Sequence, residues 1–312
     1  MEKKVDPNKN QNPIFQTFGY GLLMGIADSV PGVSGGTIAL IIGIYQKLIK
    51  SLSHFLIFFK DGFPSKSYNN FVKSIYFLFP LGFGIICSYY LVTKILVGPD
   101  ESPGLLRQSS TAPYIYAFFF GLVLISIKEP WKNISAPSFE NYLLLFLGAF
   151  LIYIYTEFPS SYNDSNFMLV ICGALALTAM LLPGISGALV LLALGQYTNI
   201  ANSVHNFDLE PLIFFLFGGI LGLITFVPLM NFFLKQYNEY TLSILAGLML
   251  GSLITLWPWK NTYDGAGLSQ NLGFGEIFDN FKVFELFFTL LFFTLGMSSS
   301  YVLKHYLSDN RA

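Results

Sequence analysis

Two serines stand in copies of one short string, Pro31-Gly32-Val33-Ser34-Gly35-Gly36 and Pro183-Gly184-Ile185-Ser186-Gly187-Ala188, the second 152 residues after the first. A hydroxyl between glycines suits two chemistries. In one, the proline ends a helix, the glycines allow a tight reversal, and the serine is the N-cap of the next helix. A helix start leaves backbone N–H groups unbonded and carries partial positive charge. Ser34, Gly35, Gly36 and Thr37, with Ser186, Gly187 and Ala188, are therefore the expected anion site, and it needs no lysine or arginine. Pro31, Gly32, Pro183 and Gly184 would shape the two hairpins. In the other chemistry the serine is a nucleophile, since both strings read G-x-S-G and the first also fits G-x-S-x-G. A nucleophile needs a base within reach, and the three histidines, His54, His205 and His305, all lie at the ends of apolar segments. Two symmetric nucleophiles without an evident base make poor chemistry, so no catalytic residue is expected and a serine protease is the lesser reading.

Asp28 precedes Pro31 by three residues inside an apolar arm, and Met180 takes its place in the second copy. A carboxylate there is costly and points to function. Beside a bound anion it would be repelled unless protonated, which makes Asp28 the candidate for coupling to protons. Its structural alternative is to accept hydrogen bonds from the hairpin N–H groups.

The elements that position these residues are apolar throughout. Charged residues make up 11% of the 312-residue chain against roughly 25% in soluble domains, and mean hydropathy is +0.58. An all-α polytopic membrane protein follows. A net charge of -1 offers no basic field, so no nucleic-acid partner is expected. Cys87 and Cys172 lie in apolar segments without ligand spacing, so free thiols, no metal site and no cofactor are expected. Met1 to Gln11 is polar and lacks the apolar core of a signal peptide.

Laid over one another without a gap, the strings extend into a long match that includes Gly21/Gly173, Ala27/Ala179, Gly43/Gly195, Tyr45/Tyr197 and Phe55/Phe207. The chain divides into a tail at 1–13, repeat 1 at 14–158 with its broken-helix motif at 28–37, repeat 2 at 159–307 with its motif at 180–189, and a tail at 308–312. Each repeat holds five apolar segments: Ile14–Val30, Gly36–Phe58, Phe71–Val97, Pro113–Ile127 and Asn141–Tyr155, then Phe167–Leu182, Gly187–Val204, Pro211–Leu234, Tyr240–Trp257 and Lys282–Tyr306. A weaker echo pairs Pro130-Trp131-Lys132-Asn133 with Pro258-Trp259-Lys260-Asn261. If the first two segments form a re-entrant hairpin, each repeat has three spans; either way the count is odd, and the second copy enters the bilayer inverted. Inversion aims the hairpin tips at one central cavity, where irregular backbone is tolerated. The alternative is that Pro and Gly only kink two helices and permit close packing. With the N-terminus inside, 13 Lys and Arg fall on the inner side, and only Lys94, Arg107, Lys260 and Lys282 fall outside. That bias places both termini in the cytoplasm. Glu157, Glu285, Lys94 and Lys235 sit near segment ends and are expected to snorkel. Arg107 is expected to be a solvated loop residue, with capture of an anion as its alternative.

These strings, Asp28 to Thr37 with Gly43-Ile44-Tyr45, and Met180 to Gly187 with Gly195-Gln196-Tyr197, resemble the bacterial PopT family of polyprenyl-phosphate transporters, formerly a domain of unknown function. The resemblance runs from about Phe15 to Tyr306 and includes Leu245 to Leu253. It implies a multi-pass protein of the bacterial cytoplasmic membrane that returns undecaprenyl phosphate from the outer to the cytoplasmic leaflet, for reuse in cell-wall and surface-glycan synthesis. The family's second motif usually continues with serine after Ser-Gly, whereas this chain has Ala188. The resulting expectation is a flippase whose partners are the lipid and the bilayer, with coupling to protons or sodium left open. The alternatives are a small-anion secondary transporter and an intramembrane serine protease of the rhomboid type.

Overall fold

The apolar runs are helical, and helices end at Pro31, Gly43, Pro183 and Gly195, whereas Pro80 and Pro228 lie inside unbroken helices. The structure is a computed structural model that describes residues 14–60, 62, 65–98, 102–157, 165–263, 269–280 and 283–308. The tail expected at 1–13 and residues 309–312 of the other lie outside the described residues, as do Asp100, Glu101, Lys282 and the side chains of Glu157 and His205. Fourteen helices are described: α1 (Ile14–Asp28), α2 (Gly35–Ile41), α3 (Tyr45–Lys60), α4 (Ser65–Leu96), α5 (Ala112–Ser126), α6 (Lys128–Trp131), α7 (Phe139–Glu157), α8 (Asn166–Leu181), α9 (Gly187–Ala193), α10 (Tyr197–Asn206), α11 (Leu209–Gln236), α12 (Asn238–Ser252), α13 (Phe274–Asn280) and α14 (Val283–Ser308). Among the described residues the only strand-like pairing is one isolated bridge, Lys260 to Asn271.

The segment expected to run unbroken from Gly36 to Phe58 is two helices. Gly43 takes a left-handed φ of 71° and ends α2. The Gly43 and Ile44 amides bond back to Leu40 O at 3.0 Å and Ala39 O at 2.8 Å, which is a Schellman-type stop. Helix α3 then leaves at 120° to α2. Repeat 2 stops α9 the same way, with Gly195 at φ 67° and Gln196 N bonded to Leu191 O at 2.8 Å. Both α2 and α9 have seven residues, so each is only about 10 Å long and cannot cross a ~30 Å core. Each is the returning arm of a hairpin, packed on α1 or α8.

Packing repeats as the sequence does. Helix α1 lies on α4 and α8 lies on α11 within the repeats, while α5 pairs with α14 and α7 with α12 between them. Small residues allow the close approach: a side chain at Gly21 would strike Leu81 O of α4, and one at the matched Gly173 would strike Phe215 O of α11. Polar pairs join the helices across the repeats, Ser126 to Ser300 at 2.8 Å and Asn141 to Ser243 at 2.9 Å. Outward faces carry large apolar side chains, such as Tyr76, Phe79 and Ile86 of α4 and Phe284 and Phe287 of α14. Among the described residues four helices are long and apolar enough to cross a membrane, a fifth if the bent α2–α3 pair counts as one.

Polar contacts gather at two ends. At one, Gln46 meets Asn238 at 3.5 Å, Ser135 N meets Glu239 at 3.2 Å and Lys304 meets Glu129 at 2.5 Å. At the other, Arg107 lies near Tyr197, Glu285 near Tyr114, and Lys260 over the Tyr116 ring.

Candidate functional site

The two Pro-Gly turns meet in the middle of the bundle. Pro31 and Gly32 (φ 94°) turn the chain out of α1, and Pro183 and Gly184 (φ 84°) turn it out of α8. Ser34 then adopts extended backbone, and its Oγ accepts from Gly36 N at 3.0 Å, capping α2. The same hydroxyl faces two carbonyls of the other repeat, Met180 O at 3.0 Å and Leu182 O at 2.9 Å, and donates its one proton there. Thr37 Oγ1 accepts from Gly184 N at 3.1 Å. The turns are thus bonded to each other through side chains 147 residues or so apart in sequence.

The site is not symmetric. Ser186 is fully buried, does not cap α9, and its Oγ has no hydrogen-bond partner. Asp28, 4% exposed, accepts from Gly35 N through Oδ1 at 2.7 Å. Met180 fills the matching position, packed against Gly187. In repeat 1 the expected donors are therefore engaged: Gly35 N by Asp28, Gly36 N by the Ser34 hydroxyl, and Thr37 N by Ser34 O at 2.9 Å. With seven residues each, α2 and α9 also develop little macrodipole. Of the two motif serines, only Ser186 keeps a hydroxyl without a partner.

Three tyrosines, Tyr89, Tyr197 and Tyr116, lie within electrostatic range of charges at these turns or at the Arg107 end. The charge of Asp28 acts on Tyr89 of α4, Tyr89 is also close to Tyr197, and Tyr197 is close to Tyr116 and Arg107. Sequence reasoning missed Tyr89 and Tyr116, which sit in apolar helices with no motif to single them out. Tyr197 did carry a signal, its match with Tyr45. That partner is buried with its hydroxyl unbonded. Arg107, half-buried beside Tyr197, is not simply a solvated loop residue.

The remaining candidates lie elsewhere. His54 lies close to Lys50 and Lys235 at the lysine-rich end, and His305 is exposed. Among the described residues neither serine hydroxyl meets a base. Lys94 covers the Tyr90 ring at 4.5 Å. Both cysteines are free thiols, and no group of metal-ligating side chains occurs among the described residues.

An all-α polytopic membrane protein built from two matched repeats, with their broken helices bonded at the centre, is the class that this fold and site define. Comparison with known proteins narrows it. Residues 24–271 match the VCA0040-like, undecaprenyl phosphate translocase-like family, and the chain belongs to that family. It is 36% identical over 249 residues to a polyprenyl-phosphate transporter of Vibrio cholerae serotype O1, covering 79% of this chain and 78% of that one. It is 28% identical over 258 residues to a polyprenyl-phosphate transporter of Staphylococcus aureus, covering 76% and 84%. No solved structure matches.

Proposed function

We propose that the protein transports undecaprenyl phosphate across the bacterial cytoplasmic membrane, from the outer to the cytoplasmic leaflet, with both termini in the cytoplasm. The observation that carries the reading is the meeting of the two turns at the bundle centre, where Ser186 is buried without a partner beside donors that Asp28 and Ser34 hold. Broken helices at matched positions are the usual place for a transporter's site. The lipid comes from the family's description, which names undecaprenyl phosphate, and from the two relatives' names, which say polyprenyl phosphate.

In this proposal the phosphate headgroup binds at Ser34, Gly35, Gly36, Thr37, Ser186, Gly187 and Ala188. The polyprenyl tail stays in the bilayer against the apolar outer faces. Asp28 competes with the phosphate for Gly35 N, because both are acceptors for the same donor. A protonated Asp28 neither repels the headgroup nor holds that amide as strongly, so proton uptake and headgroup binding favour each other. The reaction is movement without covalent change, and no enzyme activity is assigned.

Leaflet-resolved uptake of undecaprenyl phosphate into liposomes holding the purified protein is the test. Uptake above empty vesicles is expected. Folded protein that moves inorganic phosphate but no lipid would replace this reading with a small-anion carrier.

A further inference from the structure

The segment between α12 and α13 holds a lysine that the central turns do not use. Bonds from Asn261 N to Gln270 O at 3.0 Å and from Leu272 N to Trp259 O at 2.9 Å tie its two ends together. Lys260, at this junction, is only 8% exposed. Its Nζ donates to Asn271 Oδ1 at 3.0 Å and lies 5.1 Å from the centre of the Tyr116 ring on α5. The Tyr263 hydroxyl accepts from Lys260 N at 3.1 Å and donates to Pro258 O at 2.6 Å. An ammonium has three protons to donate, and among the described residues no carboxylate takes one. Next in the chain, Trp259 Nε1 is also buried without an acceptor.

A buried cation is as a rule paired. Burial pulls this ammonium down to about 8, so it is still largely charged at neutral pH, with no carboxylate beside it among the described residues. The echo in repeat 1 is an internal control. Lys132 occupies the same place in Pro130-Trp131-Lys132-Asn133, yet its side chain is 59% exposed and stands 3.7 Å from Glu129. One four-residue string thus gives a solvated, paired lysine at one end and a buried lysine without a carboxylate at the other. Tyr116, beneath Lys260, lies within electrostatic range of Tyr197.

We infer that Lys260, with Trp259 Nε1 beside it, is a binding site for a phosphate monoester at the Arg107 end of the bundle, occupied before the headgroup reaches the serine turns. That order of events rests on the transport reading above, whereas the binding does not. The phosphate supplies acceptor oxygens for Nε1 and for the Nζ protons that Asn271 leaves free.

Three tryptophans are present, and Trp257 and Trp259 meet edge to face beside this site, ring centres 5.3 Å apart. Full-length protein carrying Trp131→Phe, in detergent, is titrated with farnesyl phosphate while tryptophan fluorescence is followed. A saturable change is expected with farnesyl phosphate and none with farnesol. Lys260→Gln should weaken apparent affinity about tenfold or more, as loss of a charge-assisted bond predicts. Lys260→Arg should recover part of it, and Lys132→Gln should leave it within about twofold. Melting curves check that each variant folds; should Lys260→Gln not fold, the Lys260→Met variant takes its place. Competition by inorganic phosphate at similar concentration would show that the site reads phosphate itself, and its absence would show that the lipid is needed; the contact stands in both cases. No saturable change in the parent protein, or equal affinity in the folded variant that lacks the charge, overturns the inference. Liposome uptake by the same proteins separates the two readings. Uptake and binding both indifferent to Lys260 would sink the inference alone, and Lys260-dependent binding without uptake would sink the transport reading alone.

Discussion

Ser34 and Ser186 occupy the same place in one motif and make opposite demands on the fold. Ser34 closes a bond to its own helix and another to the opposite repeat, so Ser34→Ala should cost about 1–3 kcal/mol of stability. Ser186 is buried with nothing to bond, and Ser186→Ala should be neutral within about 1 kcal/mol or slightly stabilising. Melting of both variants in detergent measures the difference, and equal losses would contradict the geometry. If Ser186 faces the headgroup, its alanine variant should lose transport while its melting point holds. Asp28 sharpens the same asymmetry. Ionised, it holds Gly35 N at 2.7 Å and repels an anion; protonated, it holds that amide more weakly and no longer repels. Transport by the parent protein should therefore rise as pH falls. Asp28→Asn keeps an acceptor for Gly35 N, so it should fold and carry lipid with a flat pH profile. An unchanged profile would remove Asp28 from the coupling. The motif was legible in sequence, as was the contrast of Asp28 with Met180. The Ser34 cap was expected, and Asp28 bonded to a hairpin N–H was its structural alternative; that Ser186 leaves its own helix uncapped was not legible, because a capped and an uncapped serine are spelled alike.

At the scale of the element, the hairpins depend on two glycines with left-handed backbone and unequal surroundings. A Cβ at Gly184 would meet the backbone of Leu248 and Met249, which cannot yield without moving α12. At Gly32 the obstacle is Thr255 Oγ1, the end of a side chain that can turn, with Leu256 Cδ2 at 3.1 Å. Gly32→Ala should cost roughly the 1–2 kcal/mol of a non-glycine residue in that conformation. Gly184→Ala should cost clearly more, on the order of 4 kcal/mol, or prevent folding. Expression and melting of the pair provide the measurement, and equal tolerance would mean that α12 does not press on the second turn. The first break in each hairpin was read from proline. The second was not, because Gly43 and Gly195 lie inside an apolar run whose helical period continues past them. Their match across the repeats was visible, but glycine in a membrane helix is equally a packing residue, as Gly21 and Gly173 are.

For the whole molecule, the pairing of α5 with α14 and of α7 with α12 makes each repeat incomplete without the other. An inverted arrangement requires matched strings to end on opposite sides of the membrane. Lys132, beside Glu129 and Lys304, marks the lysine-rich end, while Thr262, next to the buried Tyr263, marks the end with Arg107 and Lys260. In the proposed topology the lysine-rich end faces the cytoplasm, as the excess of lysine there predicts. Cysteines introduced as Lys132→Cys and Thr262→Cys test this once Cys87 and Cys172 are replaced. A membrane-impermeant maleimide should label Thr262→Cys in intact cells and Lys132→Cys only after permeabilisation. Labelling of both from outside would mean that the repeats run parallel; the turns of α1–α2 and α8–α9 would then not be aimed at one another from opposite leaflets, and a shared headgroup site between them would lose its basis.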